Sequence, residues 1–448
     1  MTKAQKTSNG CAPLLLACLG LALVAFGIVA TLRVLQRGRD ETPEPVERFR
    51  VQSRSMEPTF CGPRFALRCP ECNATFSVAL DVDPARGATG NLDSPEARDF
   101  RERARFAACP ECGFDRVPTS DAIFNDGELV DADPDANASI ERWDVAVFRD
   151  ASGRRALKRV VGFPGERVAI RNGDLCVNGA LERRSWEQIW STAASVGATE
   201  IKRDGERTTI TRVLRSRDPN GNALSTPTSI SNESPIPAWN GANAAPVEFA
   251  RDFFLEFQWL ARDGAPCRFG VLARRPTRAW LVELDSERAT IDVASTPLYN
   301  GRARSGRDFA ELTRADFARE ERTQFEWRRY DLRADRNYAI QLAIVDGELI
   351  LCVDGLECAR VETNDLDDPS IGVAVPFVLL GDATRVTTPR ILRDLHYSSA
   401  RDASPETVVP QGHFYVLGDN SPASRDSRFA DVGCVVLSGA LVKRDERP

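Results

Sequence analysis

Residues 11–32 run from Cys-Ala-Pro-Leu-Leu-Leu to Ala-Thr-Leu, almost wholly apolar and without a charge. About 20 such residues cross a hydrocarbon core as a helix, because in lipid a segment has to satisfy its own backbone N–H and C=O groups. Lys3 and Lys6 in front also fit a cleaved signal peptide. Against that reading, the run exceeds the ~7–15-residue apolar region of such peptides, and Arg33, Arg37 and Arg39 follow at once, as at the end of a retained span. The sequence therefore predicts a short tail (1–10) and an uncleaved anchor (11–33). No second span follows, so residues 40–448 lie on one side of the bilayer. Basic residues flank the run on both sides, and the positive-inside rule does not decide which side that is. Residues 34–48, with Asp40, Glu41, Pro43, Glu44 and Pro45, read as a polar linker.

A chain of 448 residues has room for two or three cores. Its net charge of −6 and the lack of a basic stripe argue against a nucleic-acid partner. There are two histidines, His396 and His413. A Ser-His-Asp triad or a His-rich metal centre would have to use one of them, so a hydrolase on this chain is better served by another base.

Four of the twelve cysteines form two identical units, Cys69-Pro70-Glu71-Cys72 and Cys109-Pro110-Glu111-Cys112. Each C-x-x-C turn presents two sulfurs on one side, and Gly113 eases the second turn. Four soft thiolates with no histidine favour a closed, structural zinc site on Cys69, Cys72, Cys109 and Cys112. Two disulfides, or one redox pair, are the alternatives in an oxidising compartment. No thioredoxin-like βαβ pattern surrounds either unit.

Three stretches carry the chemistry. The first is Ser53-Arg54-Ser55-Met56-Glu57-Pro58-Thr59, just after a short apolar run containing Phe49 and Val51. The second is Leu157-Lys158-Arg159-Val160-Val161, which reads as a strand ending in the turn signal Gly162-Phe163-Pro164-Gly165. The third is Gly418-Asp419-Asn420-Ser421-Pro422-Ala423-Ser424-Arg425-Asp426-Ser427-Arg428. Between them, Glu128–Asp131 and Arg142–Phe148 read as strands, as does Cys434–Leu437 after the last of them. Asn172-Gly173 and Asn178-Gly179 read as hairpin turns.

In this order, behind one N-terminal span, the stretches resemble the bacterial type I signal peptidases, membrane-anchored serine proteases with a Ser-Lys dyad. The resemblance covers roughly residues 10–60, 121–182 and 405–445. It implies that Ser55 is the nucleophile and Lys158 the general base. It further implies that Ser53 joins the Ser55 N–H in the oxyanion hole, that Ser424 orients Lys158, and that Asp426 with Arg428, Asp419 and Arg159 brace the site. Two positions depart from the family pattern: Arg54 and Trp143 stand where the family has glycine. A lysine with a reference pKa near 10.4 accepts a proton at neutral pH only if burial lowers that value, and an apolar strand supplies such a setting.

The chain then reads as a mainly β catalytic body in three pieces (49–60, 121–185 and 405–448). A zinc-ribbon-like insertion (61–120) and a larger insertion (186–404) separate them. In the latter, Phe253–Trp259 alternates. Residues 338–361 read as a three-strand meander turning at Asp346-Gly347 and Asp354-Gly355, and Ile371–Val375 and Ile391–Tyr397 read as further strands. This predicts an antiparallel β-sandwich over about 250–400, similar to the concanavalin-like or laminin-G-like sandwiches. Its ligand would be a glycan or a protein, or it is a structural module. Trp259, Trp280 and Trp327 are candidates for a sugar platform and equally for a core. Across the Asp354-Gly355 turn, Cys352 is expected opposite Glu357 and Cys358 opposite Leu351, on opposite faces and unbonded.

The resemblance implies removal of N-terminal signal peptides from exported preproteins, with cleavage after small residues at −1 and −3. The catalytic body would lie outside the cytoplasm, and catalysis would need no cofactor. Two alternatives stand beside it. One is a non-catalytic membrane receptor on a degenerate protease scaffold. The other is a self-cleaving Ser-Lys repressor-type protease, against which the span and the lack of a DNA-binding segment argue.

Overall fold

The computed structural model describes residues 47–71, 75–79, 105–107, 109, 114, 116–133, 140–149, 153, 155–195, 199–204, 207–212, 250–261, 268–285, 290–300, 302–317, 322–326, 336–363, 376–381, 386–397 and 406–441. The expected anchor, nearly all of the linker, Cys72, Cys112, Trp327 and the strand expected over Ile371–Val375 lie outside the described residues. Among the described residues no helix is long and apolar enough to cross a membrane. The described chain is mainly β, with one α-helix, Trp186–Thr192, and a few short 3-10 turns.

One six-stranded antiparallel sheet carries the lysine strand. From edge to edge it runs Glu47–Arg50, Leu129–Asp133, Leu437–Leu441, Val145–Arg149, Arg155–Gly162, Tyr415–Leu417. Alternation along these strands sends Val130, Val147 and Leu157 to one face and Ala146, Phe148, Val160 and Val416 to the other, as the period of two requires. A four-stranded sheet beside it contains the hairpins at Asn172-Gly173 and Asn178-Gly179. Both residues of each turn have positive φ (56° and 94°, 52° and 85°), the two-residue geometry whose twist matches the strands.

The larger assembly is two facing antiparallel sheets. The six-stranded one holds Ala194–Ser195, Val386–Arg393, Phe253–Ala261, Arg336–Val345, Glu348–Val353 and Leu356–Glu362. The eight-stranded one holds Thr199–Asp204, Arg207–Arg212, Phe377–Leu380, Arg268–Arg274, Arg278–Asp285, Thr290–Tyr299, Arg302–Ala303 and Arg322–Glu326. Inward residues of both, among them Phe253, Leu255, Val271, Val282, Ile340 and Leu351, form one core. Trp259 and Trp280 belong to it, each 2 % exposed, so neither indole is available to a sugar.

The outward faces are covered too. Leu272, Leu281, Ala294 and Val378 pack under Phe309, Leu312 and Phe317 of the segment after Arg302. Phe254, Ala343, Ile350 and Cys352 pack under Trp186 and Ile189 of the helix. That helix opens with a capping box, Ser185 and Gln188 each satisfying the other's backbone N–H.

Four local expectations are corrected. The strand expected over Ile391–Tyr397 ends at Arg393. Asp394 turns away to pair with Arg184, and Leu395 and Tyr397 join Val161, Val168 and Leu175 in the core beside the lysine strand. The register after Cys352, which does face Glu357, slips by one, so that Leu351 faces Ala359 and not Cys358. The strand expected over Cys434–Leu437 runs Leu437–Leu441, and Val435 makes only a bridge to Phe414. The strand expected from Arg142 starts at Val145, because Trp143 has φ 79° and breaks extended backbone there.

Candidate active site

Ser55 sits in a turn anchored from beneath. Met56, 1 % exposed, enters the core with Val51, Phe60, Val130 and Leu157, and Phe60 N donates to Met56 O at 2.9 Å. Gly62 lets this segment double back: a Cβ there would stand 2.7 Å from Ser53 O. Ser55 is buried, Ser53 is exposed, and their hydroxyls are 3.1 Å apart. Arg54, in place of the family glycine, pairs with Glu57 at 3.6 Å.

The closing stretch clasps the turn. Asn420 N donates to Ser55 O at 3.0 Å and Asn420 Nδ2 to Arg54 O at 3.1 Å. Thr59 Oγ1 donates to Asp419 Oδ2 at 2.5 Å. Gly418 lies between the two halves of the site: a Cβ on it would be 2.5 Å from Ser55 O and 2.1 Å from Ser424 Oγ. Only a residue without a side chain fits there.

Lys158, opposite Ala146 in the sheet, is 3 % exposed. Its Nζ donates to Ser424 Oγ at 2.8 Å, and Ser424 Oγ donates to Asp426 Oδ2 at 2.6 Å. Burial pulls the ammonium from its ordinary 10.5 down to about 8, with Arg428 lowering it further and Asp426 and Asp419 opposing. Asp426, fully buried, accepts two bonds from Arg428, both at 2.8 Å, and one from Gly418 N at 2.9 Å. Arg159 grips Asp419 bidentately at 2.8 and 2.6 Å, the geometry in which a guanidinium is hardest to replace. It also donates to Trp143 O at 2.5 Å.

Lys158, Arg159, Asp419, Ser424, Asp426 and Arg428 thus form one buried array, against which Gly418 and Asn420 hold the turn carrying Ser55, with exposed Ser53 reaching it through the Ser55 hydroxyl. Thr59 and Asn420 join it; both sit in the quoted stretches, and neither carries a site role in the sequence reading. His396 is elsewhere, packed where a Cβ on Gly173 would stand 2.1 Å from its Nδ1. His413 Nδ1 lies 3.0 Å from Gln411 O.

Of the four expected zinc ligands, Cys69 and Cys109 are brought into one small core with Leu67, Phe76, Phe114 and Val117. Both are buried. Cys109 N donates to Phe114 O at 2.7 Å, folding the chain back after the second unit. The other two residues of the expected zinc set, Cys72 and Cys112, lie outside the described residues.

A second cluster, unsignalled in the sequence, lies where the sandwich meets the sheet of Asp174, beside the lysine-bearing sheet. Arg184 pairs with Asp346 and Asp394, Arg275 with Asp252, and Arg251 with Asp174. Carboxylate oxygens of Asp174, Asp252 and Asp346 lie within 4.8 Å of one another. Four aspartates face three arginines, and burial beside Asp252 pushes the Asp174 carboxyl well above its ordinary value, which brings the cluster towards neutrality. It reads as an ion-pair junction.

The family described as signal peptidase, peptidase S26, matches residues 115–212 and 372–444. Those stretches contain Lys158, Arg159, Asp419, Ser424, Asp426 and Arg428 and leave out the Ser53–Ser55 turn. No curated protein matches the chain. Among solved structures, sheep galectin-11 in complex with glycerol is similar at 8 % identity, over 33 % of this chain and 99 % of that one, with a TM-score of 0.22. Galectin LEC-6 of Caenorhabditis elegans is similar at 12 % identity, over 37 % and 96 %, with 0.21. Carbohydrate-binding module CBM66 of Bacillus subtilis is similar at 8 %, over 43 % and 81 %, with 0.19. Likeness at these scores equates neither fold nor ligand. The match over 115–212 and 372–444 supports a peptidase of the signal peptidase family.

Proposed function

We propose that the chain is a membrane-anchored serine endopeptidase that removes signal peptides from exported preproteins by a Ser55–Lys158 dyad, cutting after small residues. The observation that carries this reading is the Lys158–Ser424–Asp426 relay. Ser424 gives its own proton to Asp426, so it can only accept from Lys158. A neutral Lys158 then spends one N–H on Ser424, which fixes the direction of its lone pair. With a pKa of about 8, about a tenth of the enzyme holds Lys158 neutral at pH 7, against about one part in 3,000 at the ordinary value.

In the proposed reaction Ser55 Oγ attacks the scissile carbonyl as its proton passes to Lys158 Nζ. The Ser55 N–H and the Ser53 hydroxyl stabilise the oxyanion. The C–N bond breaks, the leaving amine takes the proton from Lys158, and the preceding peptide remains as an ester on Ser55. Water activated by Lys158 then hydrolyses the ester. The anchor over 11–33 would hold this body at the extracytoplasmic face of the membrane, next to emerging preproteins. Zinc on Cys69, Cys72, Cys109 and Cys112 would stiffen the insertion that follows the nucleophile turn; it takes no part in the chemistry.

The test is cleavage of a model preprotein by the detergent-solubilised chain beside Ser55→Ala and Lys158→Met. Cleavage after an Ala-x-Ala site, lost in both folded variants, is the expected result. Cleavage surviving either change, or none by the parent, refutes it.

A further inference from the structure

Trp143 has a backbone that its side chain does not favour. Its φ of 79° lies where a Cβ is crowded and glycine is at home. Every other non-glycine residue at positive φ among the described residues is Asn or Asp, whose short polar side chains tolerate the region. Such backbone persists where the surroundings over-determine it, and here they do. Trp143 N donates to Val160 O at 2.8 Å. The preceding carbonyl, of Arg142, accepts from Gln188 Nε2 at 3.2 Å. Trp143 O accepts from Arg159 Nη1.

The indole packs with Val161, Leu175, Tyr397 and Leu417. Its N–H has no hydrogen-bond partner among the described residues, so the ring is held by packing alone. Over its face lies the Arg184 guanidinium, 4.9 Å from the centroid. Arg184 is in turn fixed by Asp346 of the sandwich's central turn and by Asp394 at the end of its last strand. One contiguous buried path therefore leads from the sandwich through Arg184 to Trp143. From there it passes to Arg159, to Asp419 and to Thr59, four residues beyond Ser55.

We propose that Trp143 is a positioning residue through which the docked sandwich sets the Arg159–Asp419 brace and, with it, the turn that carries Ser55. The inference rests on the Ser55–Lys158 reading above. It gives the large insertion a role in the reaction that needs no ligand of its own. Both outward faces of the sandwich are already covered, and its Arg184–Asp394 end is buried against the catalytic sheets. It also accounts for a bulky residue where the resemblance has glycine: the ring is the surface against which Arg184 rests. A glycine at 143 keeps the backbone and removes that surface.

The experiment measures kcat and KM for preprotein cleavage by the full chain, with Trp143→Gly, Trp143→Phe, Arg184→Lys and Ser55→Ala alongside, each checked for folding by its melting profile. Misplacement of an array by about 1 Å lowers turnover by up to roughly 100-fold. Trp143→Gly is expected to lose about 10- to 100-fold in kcat with KM within about twofold. Trp143→Phe, which keeps an aromatic face for Arg184 and loses an unpartnered N–H with part of the ring area, should recover most of it. Arg184→Lys, which keeps the charge but not the planar stack, should fall between. If Trp143→Gly fails to fold, Arg184→Lys and Trp143→Phe decide the matter by the same ordering. Folded Trp143→Gly or Arg184→Lys with parental kcat overturns the proposal, as does a loss confined to KM. Ser55→Ala separates the two claims: its inactivity beside an active parent upholds the dyad whatever the Trp143 variants do. An inactive parent brings down both.

Discussion

Replacing Lys158 by methionine should abolish activity and at the same time stabilise the fold at neutral pH. Lys158 is 3 % exposed, and burial lowers its pKa from 10.5 to about 8. The folded pKa lies below the unfolded one. Below about pH 8 both states hold the proton, and the folded state bears the full penalty of a buried ammonium. Between about 8 and 10.5 the unfolded chain is protonated and the folded chain is not, so stability rises with pH across that window. The penalty at pH 7 is about 3 kcal/mol, at about 1.4 kcal/mol for each decade between the two values. Methionine has a similar length and no charge. It forfeits the bond to Ser424, worth about 1–2 kcal/mol, and leaves Asp426 paired with Arg428. The net gain is about 1–2 kcal/mol near pH 7, shrinking to nothing and then reversing as pH approaches about 10. A chain with several cores need not unfold in one step, so the measurement is local. Amide hydrogen exchange over 155–162 is compared between the two proteins at matched pH. Protection higher in Lys158→Met at pH 7, with the difference closing on alkalinisation, is the expected outcome. A variant less protected at pH 7, or a difference that ignores pH, refutes the buried-ammonium argument.

Further outcomes follow from single contacts. Asp419→Asn leaves Arg159, whose side chain is 5 % exposed, without its counter-charge; a loss of about 3–5 kcal/mol should appear as a lower melting point of the catalytic body. Thr59→Val keeps shape but removes the bond to Asp419; stability should fall by about 1 kcal/mol, and kcat more than KM. Ser185→Ala removes the helix cap at the junction and should cost about 1 kcal/mol, read in denaturant midpoint, with activity retained. Cys109→Ser should lower bound zinc, measured by elemental analysis of purified protein, and loosen the core around Phe76 and Phe114; unchanged metal content would remove zinc from the account.

How much of this was legible depended on the range over which the signal acts. The two Asn-Gly and two Asp-Gly hairpins were readable because the turn chemistry is local: each pair occupies the positive-φ positions that a two-residue turn demands. The alternation of Phe253–Trp259 likewise gave a strand facing a core. The lysine strand and the closing box were readable as motifs, and the structure brings them together across 266 positions at Lys158–Ser424. What escaped was non-local or against type. Arg184 and Asp394 are 210 residues apart, and nothing near either marks it as a partner. Asp346 was read as a turn residue, which it is, and its carboxylate proved also to be half of a buried ion pair. Trp143 in a left-handed backbone defies propensity, since tertiary contacts hold it there. The covers over both sheet faces, residues 302–317 and the helix Trp186–Thr192, come from short segments without a periodic pattern long enough to assign.

The most direct test of the central claim is to trap the covalent intermediate. The full chain is mixed with a preprotein substrate and quenched in acid within a single turnover, and the adduct is located by peptide mass. The expected adduct is the signal-peptide portion as an ester on Ser55. It should form faster as pH rises through about 8, where Lys158 loses its proton, and be absent from Ser55→Ala and Lys158→Met. An adduct on another residue, or cleavage with no adduct that persists in Ser55→Ala, would contradict it.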